Sequence, residues 1–368
     1  MKKLLTSFLG MMLALSFAIA SENHPLKANF VTGNPEINAI NSMTFGPEGI
    51  LFIGDSRSAQ VIAIDLSKQP KSDHSELRID KLDHILADMI GTPIDELQIS
   101  DMAVDPSNNN IYVGVNHSSG KALLFRVADN KLKQIPLEKV SFSKMALEDP
   151  VAKDAKDRRE RSLRKWAVAD IHYFDGKVLL SGLSNQEFAS TFRVIEFPFK
   201  KKQAQASLEI YHAAHGKYET HAPIKAFITT KVGGDPYLVA GYTCTPLVLF
   251  PMSKIQFGKH NKGRTVAELG SGNSPVDMIE VGKGDKRYLL IANTNRPLMR
   301  MAFSDLENFK ASMTEPVTVK GAAEGVPYVN MPFVNVQQLA NLEDGFVMVQ
   351  RESDGNLALK KGSSWWIN

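Results

Sequence analysis

"ISDMAVDPSNNNIYVGVNHSSGKALLFRV", residues 99–127, is the stretch whose reading decides the fold. Two short apolar runs flank "DPSNNN", whose Asp, Pro and Asn suit a tight turn, and a third apolar run follows after "HSSGK". Runs of this length bounded by turn residues predict three antiparallel strands of one sheet.

The same layout recurs in units starting at Ile40, Val168, Ile224, Pro275 and Phe333, with turns "GPEG", "FDGK", "KVGGD" and "LEDG". Six repeats of one supersecondary unit predict an all-β, six-bladed β-propeller, with a seven-bladed ring as the alternative. A fourth strand is available to each of the first five units as "SELRI", "KLKQIPL", "SLEIYHA", "RTVAEL" and "PVTVKG". The sixth unit runs out near the C-terminus, so "LKANFV", residues 26–31, is expected to complete the last blade and close the ring, removing its free edges. Short helical insertions are expected at residues 80–92, "DKLDHILADMIGT", and at residues 148–165, "EDPVAKDAKDRRERSLRK".

"MKKLLTSFLGMMLALSFAIA", residues 1–20, pairs two lysines with an apolar run and an Ala-Ile-Ala end, the pattern of a secretory signal peptide. Residues 21–368 are read as a single propeller domain in the periplasm or outside the cell, monomeric and without a membrane span. With 43 basic against 40 acidic residues and no basic stretch interleaved with aromatics, nucleic acid is not an expected partner. The chain has one cysteine, Cys244, so no internal disulfide can form, and an exported thiol must be buried, bound or used.

In a blade, the start of the first strand, the second-to-third turn and the link from the previous blade share one face. That rule collects Asp101, Asp170, Lys225, Asp277 and Asn335 at the starts of inner strands, as candidates for a ring at the channel mouth. Carboxylates with an asparagine oxygen suit calcium or magnesium, and such an ion could polarise a carbonyl with one carboxylate as general base. The same residues could instead tie blade to blade by accepting backbone N–H bonds. Lys225, Arg296 and Arg351 could attract an anionic small ligand.

The link "YHAAHGKYETHAP", residues 211–223, reaches the same face and should neighbour Cys244. His215, His221 and Cys244, with Glu219 beside them, are the expected metal ligands, since a thiolate with imidazoles suits copper or zinc; His212 ends the preceding strand and is expected to face elsewhere. The alternatives are a metal-free polar loop and a thiol–imidazole pair for nucleophilic chemistry. There is no C-x-x-C-H for a c-type haem, no H-E-x-x-H, no G-x-S-x-G and no phosphate loop.

The strand pattern resembles the β-propeller superfamily of NHL and YVTN repeats, SMP-30-like lactonases and soluble quinoprotein dehydrogenases. "LSNQEFASTFR", "HGKYETHAP" and "YTCTPLVLFP" are also similar to stretches of uncharacterised exported bacterial propeller proteins, a likeness that implies no activity. The SMP-30 resemblance implies a divalent cation in a ring of acids and asparagine, from which Lys225 departs. The function expected is binding of a small ligand or metal ion at the channel mouth, in support of hydrolytic or redox chemistry. A non-catalytic scaffold that docks another exported protein is the alternative.

Overall fold

The computed structural model describes residues 26–284 and 286–367, so the leader read at residues 1–20 lies outside the described residues. Within them the chain forms six sheets arranged as a β-propeller, antiparallel apart from the parallel pairing of His260–Lys262 with Gln203–His212 in the third. The second blade follows its sequence closely, with strands at Leu97–Val104, Ile111–His117, Ala122–Ala128 and Lys131–Ile135. Ala122–Ala128 is buried throughout because both faces of the sheet are covered by neighbouring blades. The outer strand alternates instead, burying Leu132 and leaving Lys131 and Lys133 in solvent. The "DPSNNN" turn is built by Asp105, whose Oδ1 accepts from the Ser107 N–H at 2.9 Å and whose Oδ2 accepts from Asn108 Nδ2 at 3.0 Å.

Six inter-blade cores give the order of the ring. The first blade packs on the second through Ile53, Ile62, Tyr112 and Leu124, and on the third through Phe52, Val61, Val178 and Leu180. Leu179, Phe192, Phe227 and Tyr242 join the third to the fourth; Val239, Leu249, Leu289 and Ile291 join the fourth to the fifth. Leu290 and Met348 join the fifth to the sixth. The sixth packs on the second, through Val347, Leu359, Val113 and Phe125. Around the ring the order is therefore second, first, third, fourth, fifth, sixth, and not the order of the chain.

This rearrangement corrects the expected closure. "LKANFV" does not complete the last blade: Val31–Gly33 lies outside Val140–Ala146, which is the fourth strand of the first blade. The sixth blade is completed by Arg78–Ile79, the end of "SELRI", pairing with Leu359 and Lys360. After its first three strands the chain thus crosses to the sixth blade, builds the second blade between the sixth and the first, and returns to finish the first. A short outer strand is chosen by the backbone edge it can reach, so proximity in sequence misassigned it. For the same reason Val329–Asn330, not "PVTVKG", flanks the fifth blade.

The helix expected at residues 80–92 is present at Leu82–Ile90, where Leu82 and Leu86, one turn apart, are buried against the core that holds Leu357 and Leu359. It stops at Gly91, whose φ of 73° suits a left-handed cap. Residues 148–165 form no α-helix. Asp157 accepts from the backbone N–H groups of Arg159 and Arg161 and from the Arg161 side chain, and this local turn displaces helix. A short 3-10 turn, Arg164–Trp166, ends the segment. Among the described residues no helix is long and apolar enough to cross a membrane.

Candidate metal centre

His212 is the last residue of the strand Gln203–His212, and a tight turn through Gly216 (φ 62°) folds the chain back as Lys217–Glu219. In this hairpin Ile210 pairs with Glu219 and His212 with Lys217, which sets the Glu219 side chain against the imidazoles. Glu219 Oε2 lies 2.9 Å from His212 Nδ1 and Oε1 lies 2.8 Å from His215 Nδ1. The two imidazole rings stand 3.7 Å apart, centre to centre. Cys244 arrives from the fourth blade's second-to-third turn at φ 77°, its N–H donating to Ser274 Oγ at 3.0 Å. One ring nitrogen from each of His212 and His215 and the Cys244 sulfur all lie within 4.8 Å of one another.

His212 and His215 are thus the gathered pair. His221 turns away, its Nδ1 2.9 Å from Thr220 Oγ1, on the exposed side of the loop. The hairpin explains this, because folding back at Gly216 brings the strand-end residue 212 beside 215 and carries 221 past the turn. Its tightness was the missing signal.

The electrostatics favour a cation. Burial raises the Glu219 carboxyl, but the hydrogen bonds from His212 and His215 outweigh it and bring it to about 2. A carboxylate that accepts Nδ1–H from both rings leaves the lone pair of each on Nε2; that of His212 accepts from the Thr245 hydroxyl at 3.2 Å, a bond that an ion at this nitrogen would replace. Partial desolvation of the sulfur, on a residue that is otherwise exposed, and then the negative charges of Glu219 and Glu268, hold the Cys244 thiol above its ordinary range. Glu268 was not singled out from the sequence, although a glutamate ending the apolar run of "RTVAEL" is an unusual resident of a blade interior. It is fully buried, accepts from the Ala214 N–H at 3.2 Å, and has no partner for Oε1 among the described residues. Burial pushes its carboxyl up to about 7.

The inner-strand aspartates have a different geometry. Asp101 accepts from the backbone N–H groups of Met43 in the first blade and Met102 in its own. Asp170 accepts from Ser42 Oγ, Ile171 N–H and Phe227 N–H, each at 2.8 Å. Asp277 accepts from Met278 N–H at 2.7 Å and Leu339 N–H at 2.6 Å. Each carboxylate therefore spans from its own blade to the next, and all three border a central cavity of about 260 Å³. Burial, and then the charge of Asp170, push Asp101 up to about 7; burial, and then the charge of Asp101, hold Asp277 well above the ordinary carboxylate range. Lys225 and Asn335 stand apart from this cavity. Lys225 Nζ lies 5.5 Å from the centre of the Trp166 ring, and Asn335 is exposed at φ 57° with its carbonyl accepting from Arg351 N–H.

No protein-family model and no curated protein sequence matches the chain. Solved structures similar to it include streptogramin B lyase, at 9% identity over 91% of this chain and 87% of that one, with a TM-score of 0.34. The WD40 propeller domain of Doa1 is 9% identical over 92% and 98%, with a TM-score of 0.32. A putative oxidoreductase (glucose dehydrogenase) from Thermus thermophilus is 9% identical over 90% and 98%, with a TM-score of 0.36. The assignment to the β-propellers rests on the six sheets and their ring order; likenesses this distant say nothing of activity.

Proposed function

We propose that this chain is an exported β-propeller that holds one thiophilic metal ion, copper or zinc, between His212, His215 and Cys244. The observation that carries this reading is the pair of bonds from one carboxylate, Glu219, to Nδ1 of both histidines, the arrangement that orients imidazole ligands in metal sites. Two further facts support it. A thiol and two carboxylates crowd one spot with one buried carboxylate oxygen unpartnered, and a cation relieves that crowding. The raised thiol also weakens the rival reading, since a nucleophilic cysteine needs its thiolate at neutral pH without the positive charge that a bound cation would bring to it.

His215 and Cys244 are exposed, so an ion there keeps a solvent-facing position for a water or a small ligand. Zinc in such a site supports hydrolysis, and copper supports electron transfer. Export rests on the leader pattern of residues 1–20.

The test is metal analysis of protein purified without a histidine tag and dialysed against copper or zinc. One equivalent per chain is expected, lost in Cys244→Ser and in His215→Ala and retained in His221→Ala. Absence of stoichiometric metal in the wild type, or its persistence in Cys244→Ser, overturns the reading.

A further inference from the structure

A cleft of about 690 Å³ opens on the mouth face between the first and second blades, roofed by the segment that precedes the third. Its floor is rigid. Asn116 spans the two blades, donating from Nδ2 to the Ile40 carbonyl at 2.7 Å and accepting from the Ile40 N–H at 2.8 Å. Ser56 is held by Asn41, which accepts its N–H at 2.8 Å, and donates its hydroxyl to the Val168 carbonyl at 2.7 Å. These floor groups are engaged in bonds within the fold.

The cations are held differently. Arg57, Lys153, Arg164 and Lys165 line the cleft, and among the described residues no carboxylate lies within 4.0 Å of any of them. Arg164 is fixed by neutral acceptors, Nη1 donating to the Val151 carbonyl at 2.6 Å and Nε to the Arg57 carbonyl at 3.4 Å. The position of its charge is thus set by carbonyls; the Asp55 carboxylate acts on it only from beyond 4.0 Å and is itself engaged by the Asn38 and Ser58 N–H groups. Arg57 lies over Gly120, where a methyl group would stand 2.4 Å from Nη1. On the opposite side, Glu96 is engaged by His117 Nε2 at 3.2 Å, Thr92 Oγ1 at 3.1 Å and Ser118 Oγ at 3.3 Å. Among the described residues Asp95 is left as the cleft's acid without such partners.

From this arrangement we infer that the cleft is a binding site for a small multivalent oxyanion, a phosphate ester or a polycarboxylate, gripped by Arg57, Arg164 and Lys165. A preorganised arginine supplies paired N–H donors that match planar or tetrahedral oxyanions, and neighbouring cations add charge without further ordering of the floor. The volume is that of a small-molecule site. Asp95 can accept from a hydroxyl on the same ligand. The site is separate from the histidine–cysteine cluster, which lies between the third and fourth blades.

Isothermal titration calorimetry at low ionic strength, with inorganic phosphate and citrate as probes and glycerol as the neutral control, tests this. At least one anion is expected to bind while glycerol does not, and whichever binds more tightly identifies the chemistry. The double variant Arg57→Ala/Lys165→Ala should weaken that binding at least tenfold. Lys201→Ala/Lys310→Ala removes two exposed lysines elsewhere and the same charge, and should leave binding unchanged, as should His215→Ala. Equal weakening in both double variants would reduce the effect to general attraction and overturn the proposal, as would wild-type protein that binds neither anion.

Discussion

Glu219 and His212 face each other across a hairpin, Oε2 2.9 Å from Nδ1, and the histidine is fully enclosed while the carboxylate reaches a second histidine with its other oxygen. One acid thereby sets the orientation of two potential ligands. Glu219→Gln keeps the shape but cannot accept from both rings in the same way. Metal affinity should fall about 10- to 100-fold, as for other outer partners of metal-bound histidine, measured by competition with a chromophoric chelator. An unchanged affinity would show that the histidines are held by packing alone.

The thiol of Cys244 is raised by partial desolvation and by the charges of Glu219 and Glu268. In metal-free protein, alkylation by iodoacetamide should be slow at neutral pH and should rise at higher pH than for a free cysteine. Glu219→Gln removes a negative charge and should shift that profile to lower pH, while saturating zinc should protect the thiol. Rapid alkylation at neutral pH in the wild type would favour the thiol–imidazole nucleophile instead.

Asp101 has a folded carboxyl at about 7 against an ordinary value of 3.8, so the folded chain keeps a proton that the unfolded chain has already released. Its contribution to stability is complete below the unfolded value, declines as the pH rises from about 4, and is gone above about 7. The slope for one such group is about 1.4 kcal/mol per pH unit within that window. Urea midpoints between pH 5 and pH 8 should show the decline flattening above neutrality. Asp101→Asn should be less stable overall, because its amide cannot accept from both Met43 and Met102, yet less pH-dependent. A variant with the wild-type slope would remove Asp101 as the source.

Closure at Arg78–Ile79 can be set against the outermost strand Val31–Gly33. Ile79 is buried in the core shared by the second and sixth blades, and Ile79→Asp places a charge there. A loss of roughly 3 kcal/mol or more is expected from lost burial and an unpaired buried charge. Removing residues 26–33 uncovers one edge of the first blade and leaves the sixth blade complete. Thermal unfolding and size-exclusion chromatography should therefore find Ile79→Asp the more damaging change. The reverse ranking would return closure to the N-terminal strand.

What the sequence determined by itself was local. Turn residues such as those of "DPSNNN" and alternating apolar runs specify hairpins through neighbouring backbone, so six three-stranded units were legible without coordinates. The shared face of strand starts and second-to-third turns was legible too, and it placed the loop 211–223 beside Cys244. The tertiary structure decided which edge each two- or three-residue outer strand joins, because those strands carry too little side-chain pattern to specify a partner. It therefore decided the ring order, in which the second blade precedes the first. It also decided that His212 joins His215, since a one-turn hairpin fixes which side chains meet, and that the aspartates reach across to the next blade's backbone. Glu268 reaches the Ala214 N–H, and Arg57 meets the segment that carries Lys153, Arg164 and Lys165, only through packing between blades, where residues distant in sequence share a wall.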